Sequence, residues 1–279
     1  MNVLVIGAGT MGSGIALVVA DAGYSVVLID SNQEALQIGM ASIEKSLSRL
    51  VQKEKISLER KSEILSLISP STDLSQGRGC LMAIEAASES MVVKHRIFKE
   101  LDGILGKDAI FATNTSSLSI EQIASVVNHP ERVIGLHFFN PPSVMKLVEI
   151  ISSVLTSPKT VQFTEQFIQT LGKDPVNVKE SPGFVVNRIL IPMINEAVSV
   201  FSEGVASAND IDKAMMLGAN HPIGPLALAD LIGIDIVHAI METLQKDFES
   251  DKYAPHPLLQ TMIRENKLGR KTKQGFYPY

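Results

Sequence analysis

The stretch NVLVIGAGTMGSGIA, residues 2–16, decides the fold. A continuous apolar run enters Gly7-Ala8-Gly9-Thr10-Met11-Gly12, and an Ala- and Val-rich helical pattern leaves it. The glycines permit a tight turn and close approach of a pyrophosphate to the main chain. The helix N-terminus offers free N–H groups and the positive end of its dipole. A second apolar run, residues 26–29, ends at Asp30, where a carboxylate can bond a ribose diol. Strand, glycine turn, helix and acid in this order predict dinucleotide binding. A carboxylate at Asp30 repels a 2′-phosphate, so NAD is expected over NADP. A glycine turn followed by a solvated aspartate is the plain structural alternative.

Outward from this stretch, apolar runs recur at residues 81–84, 109–112, 133–139 and 147–151. They are continuous rather than alternating and are separated by helical patterns. That predicts a mostly parallel sheet covered on both faces, a doubly wound, Rossmann-type α/β fold. Between the second and third runs the chain is far longer than the dozen or so residues a crossover needs. Residues 32–69 fill the gap with two helical patterns joined around QKEKIS, with Leu36, Ile43, Leu47 and Leu50 on one face. Charges crowd the junction, so a helical arm with a wet tip is expected to project from the sheet.

After Lys179 the sequence Glu180-Ser181-Pro182-Gly183 breaks the strand pattern, and from Phe184 the periodicity is helical. A boundary there gives an α/β domain over 1–181 and an all-α domain over 182–279. The segment 184–201 is apolar nearly all round, which predicts burial inside the second domain or at a subunit interface, with a kink at Pro192.

Composition narrows the classes. The balance of 25 Lys+Arg against 30 Asp+Glu, a formal charge of −5, disfavours nucleic acid. With 20% charged and 45% hydrophobic residues the chain can bury a sizeable core. A single cysteine, Cys80, forms no intrachain disulfide, and neither an apolar run of membrane-spanning length nor a charged leader is present. A cytoplasmic protein with no membrane partner is expected.

The run VIGLHFFNPPSVMKLVEII, residues 133–151, holds a second constellation. If its two apolar halves form a hairpin, pairing Phe139 with Met145 sets Glu149 diagonal to His137. A register two residues along sets them directly opposite. A carboxylate within Leu-Val-Glu-Ile-Ile is costly unless paired, and His137 is the nearest partner of opposite sign. Such a carboxylate fixes an imidazole as a general base requires. A buried structural pair fits the same residues.

In ATNTSSLSIEQ, Ser119 with Gln122 makes a capping box, which leaves Ser116 at a strand end facing a ligand crevice. Glu85 and Glu89 are expected to complement a helix N-terminus. Asn187, an amide within an apolar helix, either bonds protein groups or faces the cleft between the domains. Ser46 and Lys53 share one face of the arm, about 10.5 Å apart along it, and by pattern alone that face is solvated.

With these residues in place, the chain resembles the short-chain L-3-hydroxyacyl-CoA dehydrogenases, their bacterial 3-hydroxybutyryl-CoA branch most of all. The likeness lies in ordered motifs that span the chain: GAGTMGSGIA, NTSSLSI, HFFNPPSVMKLVEII, SPGFVVNRILIPMINEA, NHPIGPLALADLIGID and GRKTKQGFYPY. The resemblance implies a reversible, NAD-dependent oxidation of an (S)-3-hydroxyacyl-CoA in β-oxidation or butyrate-type metabolism. It implies His137 as catalytic base, Glu149 as the carboxylate that orients and charges it, and Ser116 and Asn187 as donors to the reacting oxygen and thioester region. Gly7, Gly9, Thr10, Met11, Gly12, Asp30, Glu89, Lys94, Ser116, Asn140 and Lys271 would hold NAD. Ser46 and Lys53 would hold coenzyme A. A homodimer through the helical second domain and no metal are also implied. Lys273 stands where the family usually has glycine, and Cys80 where an acid is common. A dehydrogenase of free hydroxy or sugar acids and a non-catalytic NAD-binding regulator are the competing readings.

Overall fold

The apolar runs of the N-terminal half become strands, and the patterned segments between them become helices. In the computed structural model, which describes residues 1–279, the first of two units is Met1–Glu180. It runs β1 (Asn2–Ile6), α1 (Thr10–Asp21), β2 (Ser25–Ile29), α2 (Gln33–Gln52), α3 (Leu58–Ser66), β3 (Ile68–Ser71), β4 (Met82–Glu85), α4 (Met91–Ile104) and β5 (Ile110–Thr113). It continues with α5 (Ile120–Ala124), β6 (Val133–Phe138), β7 (Leu147–Ser152), α6 (Pro158–Thr170) and β8 (Asp174–Lys179). One sheet takes all the strands in the order β3-β2-β1-β4-β5-β6-β7-β8. The six strands from β3 to β6 are mutually parallel, β7 is antiparallel to β6, and β8 is parallel to β7. The reversal at β7 follows from length: the segment between β6 and β7 is too short for a crossover, so the chain turns back.

Two strands escape the apolar pattern. The tetrapeptide ISPS forms β3 and DPVNVK forms β8, at opposite edges of the sheet. Each contains a proline, which an edge tolerates because no ladder N–H is needed there. The helical insert therefore ends at Ser66, short of the expected 69, and the chain re-enters the sheet. Leu36, Ile43 and Leu47 of α2 are each 1% exposed and join the core formed by α1 and the strands. The insert thus lies on that core through α2, and its tip, Lys53, Glu54 and Lys55, stands in solvent.

The second unit, Ser181–Tyr279, is helical: α7 (Val186–Ser202), α8 (Ala208–Gly218), α9 (Pro225–Ile232), α10 (Ile234–Phe248) and α11 (Pro257–Arg264). Ile191, Ile194 and Val198 of α7 pack with Val237, Met241 and Leu244 of α10 in its core. Helix α7 continues through Pro192 and buries one face only. Ile189 is 67% exposed, so burial all round is not met within a single chain. Two buried carboxylates close the C-terminal segment onto this unit. Asp230 accepts from Phe276 N and Tyr277 N, both at 2.9 Å, and from Tyr279 Oη at 3.1 Å. Asp212 accepts from Leu226 N, Ala227 N and Tyr277 Oη. Burial pushes the Asp230 carboxyl above the usual range.

Candidate functional site

The crevice opens where β1 and β4, adjacent in the sheet, send their helices to opposite sides, the switch point at which such sheets bind ligands. Gly7 has φ +100°, and a Cβ there would press on the main chain of Ala86 beyond β4. A Cβ on Gly12 would overlap the carbonyl of Gly7. Gly9 differs, since nothing lies within 4 Å of its would-be Cβ. Two glycines let the turn close on itself, and the third leaves its outer face open to a ligand. Gly9 also caps α1 without a side-chain acceptor, so the first N–H groups of that helix remain available to an anion.

Gly7, Gly9, Thr10, Met11 and Asp30 line a cavity of about 840 Å³ whose other walls include Leu74, Val93 and Ile97. Asp30 accepts from Ala8 N at 2.9 Å and Asn32 N at 3.0 Å. Each carboxylate oxygen keeps acceptor capacity for a ribose hydroxyl. Open glycine, uncapped helix, oriented acid and apolar flank fit a dinucleotide.

Glu85 ends the buried strand β4 and faces Lys94 on the first turn of α4. Lys94 Nζ lies 2.9 and 2.8 Å from the two oxygens, and the side chains are 0% and 1% exposed. Thr113 Oγ1 and Ala87 N complete the coordination of Glu85. The acid therefore does not serve the helix dipole, as its position in sequence suggested, but neutralises a buried lysine. Lys94 Nζ also forms an ion pair with Glu89 Oε2 at 3.3 Å. The ammonium is thus held between two carboxylates, and the structure places Lys94 behind Glu89.

Glu89 Oε1 in turn gathers the loop after β5. It accepts from Thr115 Oγ1 (2.6 Å), Ser116 N (2.9 Å), Ser116 Oγ (3.3 Å), Ser117 N (3.2 Å) and Ser117 Oγ (3.1 Å). Burial pushes the Glu89 carboxyl up, but the charge of Lys94 and these donors outweigh it and hold the pKa below the usual range. Ser119 caps α5 by accepting from Gln122 N. Its hydroxyl donates to Glu180, which also accepts from Glu121 N, so Glu180 adds a second acceptor, a carboxylate, at the start of α5.

His137 and Glu149 are directly opposite in the β6–β7 ladder, the second of the two registers open to the sequence. Nδ1 is 2.7 Å from Oε2, and the residues are 7% and 1% exposed. The ring of Phe139 packs on the imidazole at 4.5 Å between centroids. Asn114, which sequence reasoning passed over, also supports this strand. Main-chain pairing of β5 with β6 ends at Thr113–Gly135, and Asn114 Oδ1 extends it by accepting Phe138 N at 2.9 Å. A polar residue ending a buried strand was the available signal, for Asn114 and for Glu85 alike.

Ser46 and Asn140, distant in sequence, line one small cavity with Thr10, Ser13 and Pro142. Lys53 is the exposed C-cap of α2 at the tip of the insert. In the second unit Asn187 lies on the opening turn of α7. Lys271 is paired with Asp235, Nζ to Oδ2 2.6 Å. Lys273 holds φ +60°, the left-handed conformation that suits glycine.

Residues 2–181 match the family model described as 3-hydroxyacyl-CoA dehydrogenase, NAD binding domain, and residues 183–279 match the C-terminal domain of the same family. A 3-hydroxybutyryl-CoA dehydrogenase of Clostridioides difficile is 53% identical over 279 residues, covering 100% of this chain and 99% of the relative. The human mitochondrial hydroxyacyl-coenzyme A dehydrogenase is 43% identical, covering 100% of this chain and 91% of its own. The crystal structure of an (S)-3-hydroxybutyryl-CoA dehydrogenase from Ralstonia eutropha superposes with a TM-score of 0.96 at 48% identity, covering 100% of this chain and 98% of the other.

Proposed function

Because the chain belongs to the 3-hydroxyacyl-CoA dehydrogenase family and is an NAD-dependent oxidoreductase of that kind, we propose that His137 is its general base, held in orientation by Glu149. The supporting observation is the buried 2.7 Å contact between them. A carboxylate accepts only, so Nδ1 carries the proton of that bond and Nε2 is the basic nitrogen. Nε2 takes the proton of the substrate 3-hydroxyl as the C3–O bond becomes a carbonyl. Glu149 stabilises the imidazolium that results, in a site too dry for water to do so.

NAD, when bound, supplies the acceptor for the hydride leaving C3. Gly7, Gly9, Thr10, Met11 and Gly12 would receive its pyrophosphate and Asp30 its ribose. Glu89, which holds the 115–117 loop, would act with Lys94 behind it, and Asn140 and Lys271 complete the proposed cofactor set. Ser116 would donate to the reacting oxygen and Asn187 would bind the thioester region. Ser46 and Lys53 would hold coenzyme A, a polyanion suited to a cationic tip. A four-carbon 3-hydroxyacyl chain is the substrate named for two of the relatives, and we propose it here. The α/β unit is assigned to NAD, and the helical unit to substrate and to a homodimer. Exposed Ile189 and Leu217, at 67% and 77%, favour the latter.

The test is NADH consumption with acetoacetyl-CoA, run beside free acetoacetate and beside NADPH. Turnover confined to the thioester and NADH supports the proposal. Equal rates on free acetoacetate would favour a hydroxy-acid dehydrogenase. In the same assay His137→Ala should lose about 100- to 10,000-fold in kcat while still binding NADH.

A further inference from the structure

Lys173 is 7% exposed, and its ammonium is aimed at main chain rather than at a carboxylate. Nζ donates to Pro142 O at 2.5 Å and to Met145 O at 2.8 Å. Burial, and the like charge of Lys146, push its pKa down. A charge kept in such a place is costly, and the two carbonyls offset that cost.

The end of α6 fixes the direction of this side chain. Gly172 follows the helix at φ +66°, Gly172 N bonds Gln169 O, and Lys173 N bonds Ile168 O, the paired contacts of a Schellman ending. The two segments are laced in both directions. Lys146 Nζ donates to Gly172 O at 3.1 Å, and Asp174 N donates to Lys146 O at 2.9 Å. From the other side, a Cβ on Gly14 of α1 would come within 2.8 Å of the Pro142 ring. The segment 140–146 is therefore gripped between the helix of the glycine turn and the α6–β8 turn. Asn140 is its first residue, and it joins the strand of His137 to the strand of Glu149.

We propose that Lys173 is a positioning residue for the dehydrogenase reaction, holding the 140–146 segment so that Asn140 is seated for the cofactor. The proposal rests on the role assigned above to Asn140. Lys173 itself touches no reacting atom.

The experiment is steady-state kinetics with NADH and acetoacetyl-CoA on wild type, Lys173→Met, Asn140→Ala and the double variant. Methionine keeps the length of the side chain and removes charge and donors. KM for NADH should rise about tenfold in Lys173→Met, the scale of losing bonds from a charged donor, with KM for acetoacetyl-CoA little changed. The double variant should be no worse than the worse single variant, because both act through one contact. Circular dichroism checks the fold. If Lys173→Met does not fold, Gly14→Ala presses the same segment from its other side and is scored by the same rise in KM.

A lowered melting temperature with wild-type kinetic constants would make Lys173 purely structural and overturn the proposal. Losses that multiply in the double variant would separate it from Asn140 and do the same. A wild-type protein inactive on acetoacetyl-CoA refutes the functional reading instead, and NADH dissociation constants from fluorescence then test Lys173 by the same comparison.

Discussion

His137 stands directly across the β6–β7 ladder from Glu149, Nδ1 to Oε2 2.7 Å, each flanked along its strand by apolar residues. Neither group is stable alone at that depth. The pairing explains how a run such as LVEII can be a core strand at all.

Glu149→Gln keeps the volume but removes the charge that stabilises the imidazolium. It should lower kcat by at least about 100-fold, with NADH binding by fluorescence titration retained. Wild-type turnover in this variant would reduce the pair to a structural role.

Asp30→Ala removes the carboxylate that meets the ribose and repels a 2′-phosphate. KM for NADH should rise while KM for NADPH is unchanged or falls, so the ratio of the two kcat/KM values moves toward NADPH. An unchanged ratio would contradict the assignment of Asp30.

Lys94→Met leaves Glu85 buried without its counter-charge. Loss of one member of such a pair costs about 3–5 kcal/mol, measurable by urea unfolding. The double variant Glu85→Gln with Lys94→Met should recover part of that loss, and strict additivity would argue against the pair.

The Glu89 carboxyl lies below its ordinary 4.5 in the folded protein. An acid whose folded pKa is depressed stabilises the fold above its unfolded value, and that stability is lost as pH falls from there through the folded pKa. Melting temperatures recorded downward from about pH 5 should therefore fall less steeply in Glu89→Gln than in wild type. Parallel curves would show that the Ser116 loop does not depend on that charge.

Lys273 occupies a left-handed conformation, φ +60° and ψ +12°. A side chain there costs about 1–2 kcal/mol, partly offset by the greater unfolded-state freedom of glycine. Lys273→Gly should raise the melting temperature without altering kcat. A lower value would mean that Lys273 makes contacts that outweigh its backbone strain.

The α/β plan, the glycine turn and the helical insert were legible in sequence because each rests on local spacing: Gly7, Gly9 and Gly12 between a strand and a helix, or Leu36, Ile43 and Leu47 at helical period. Such patterns are set by bond geometry and by which face must leave water. The edge strands β3 and β8 were not legible, since their prolines and exposed residues carry no core signal. His137 and Glu149 were visible as candidates, but their spacing allowed two registers. Only the ladder, with Gly135 opposite Ile151, chose between them.

What the sequence by itself determined, then, is the type and order of elements and which residues have chemistry to offer. What the tertiary structure alone decided is which of them meet. Glu85 was matched to Lys94 rather than to a helix end, Glu89 to the hydroxyls of residues 115–117, and Lys173 to carbonyls some 30 residues away. The physical reason is that a buried charge or polar group takes whatever partner the packed fold brings within about 3 Å, and that choice depends on crossings and registers that no local pattern encodes.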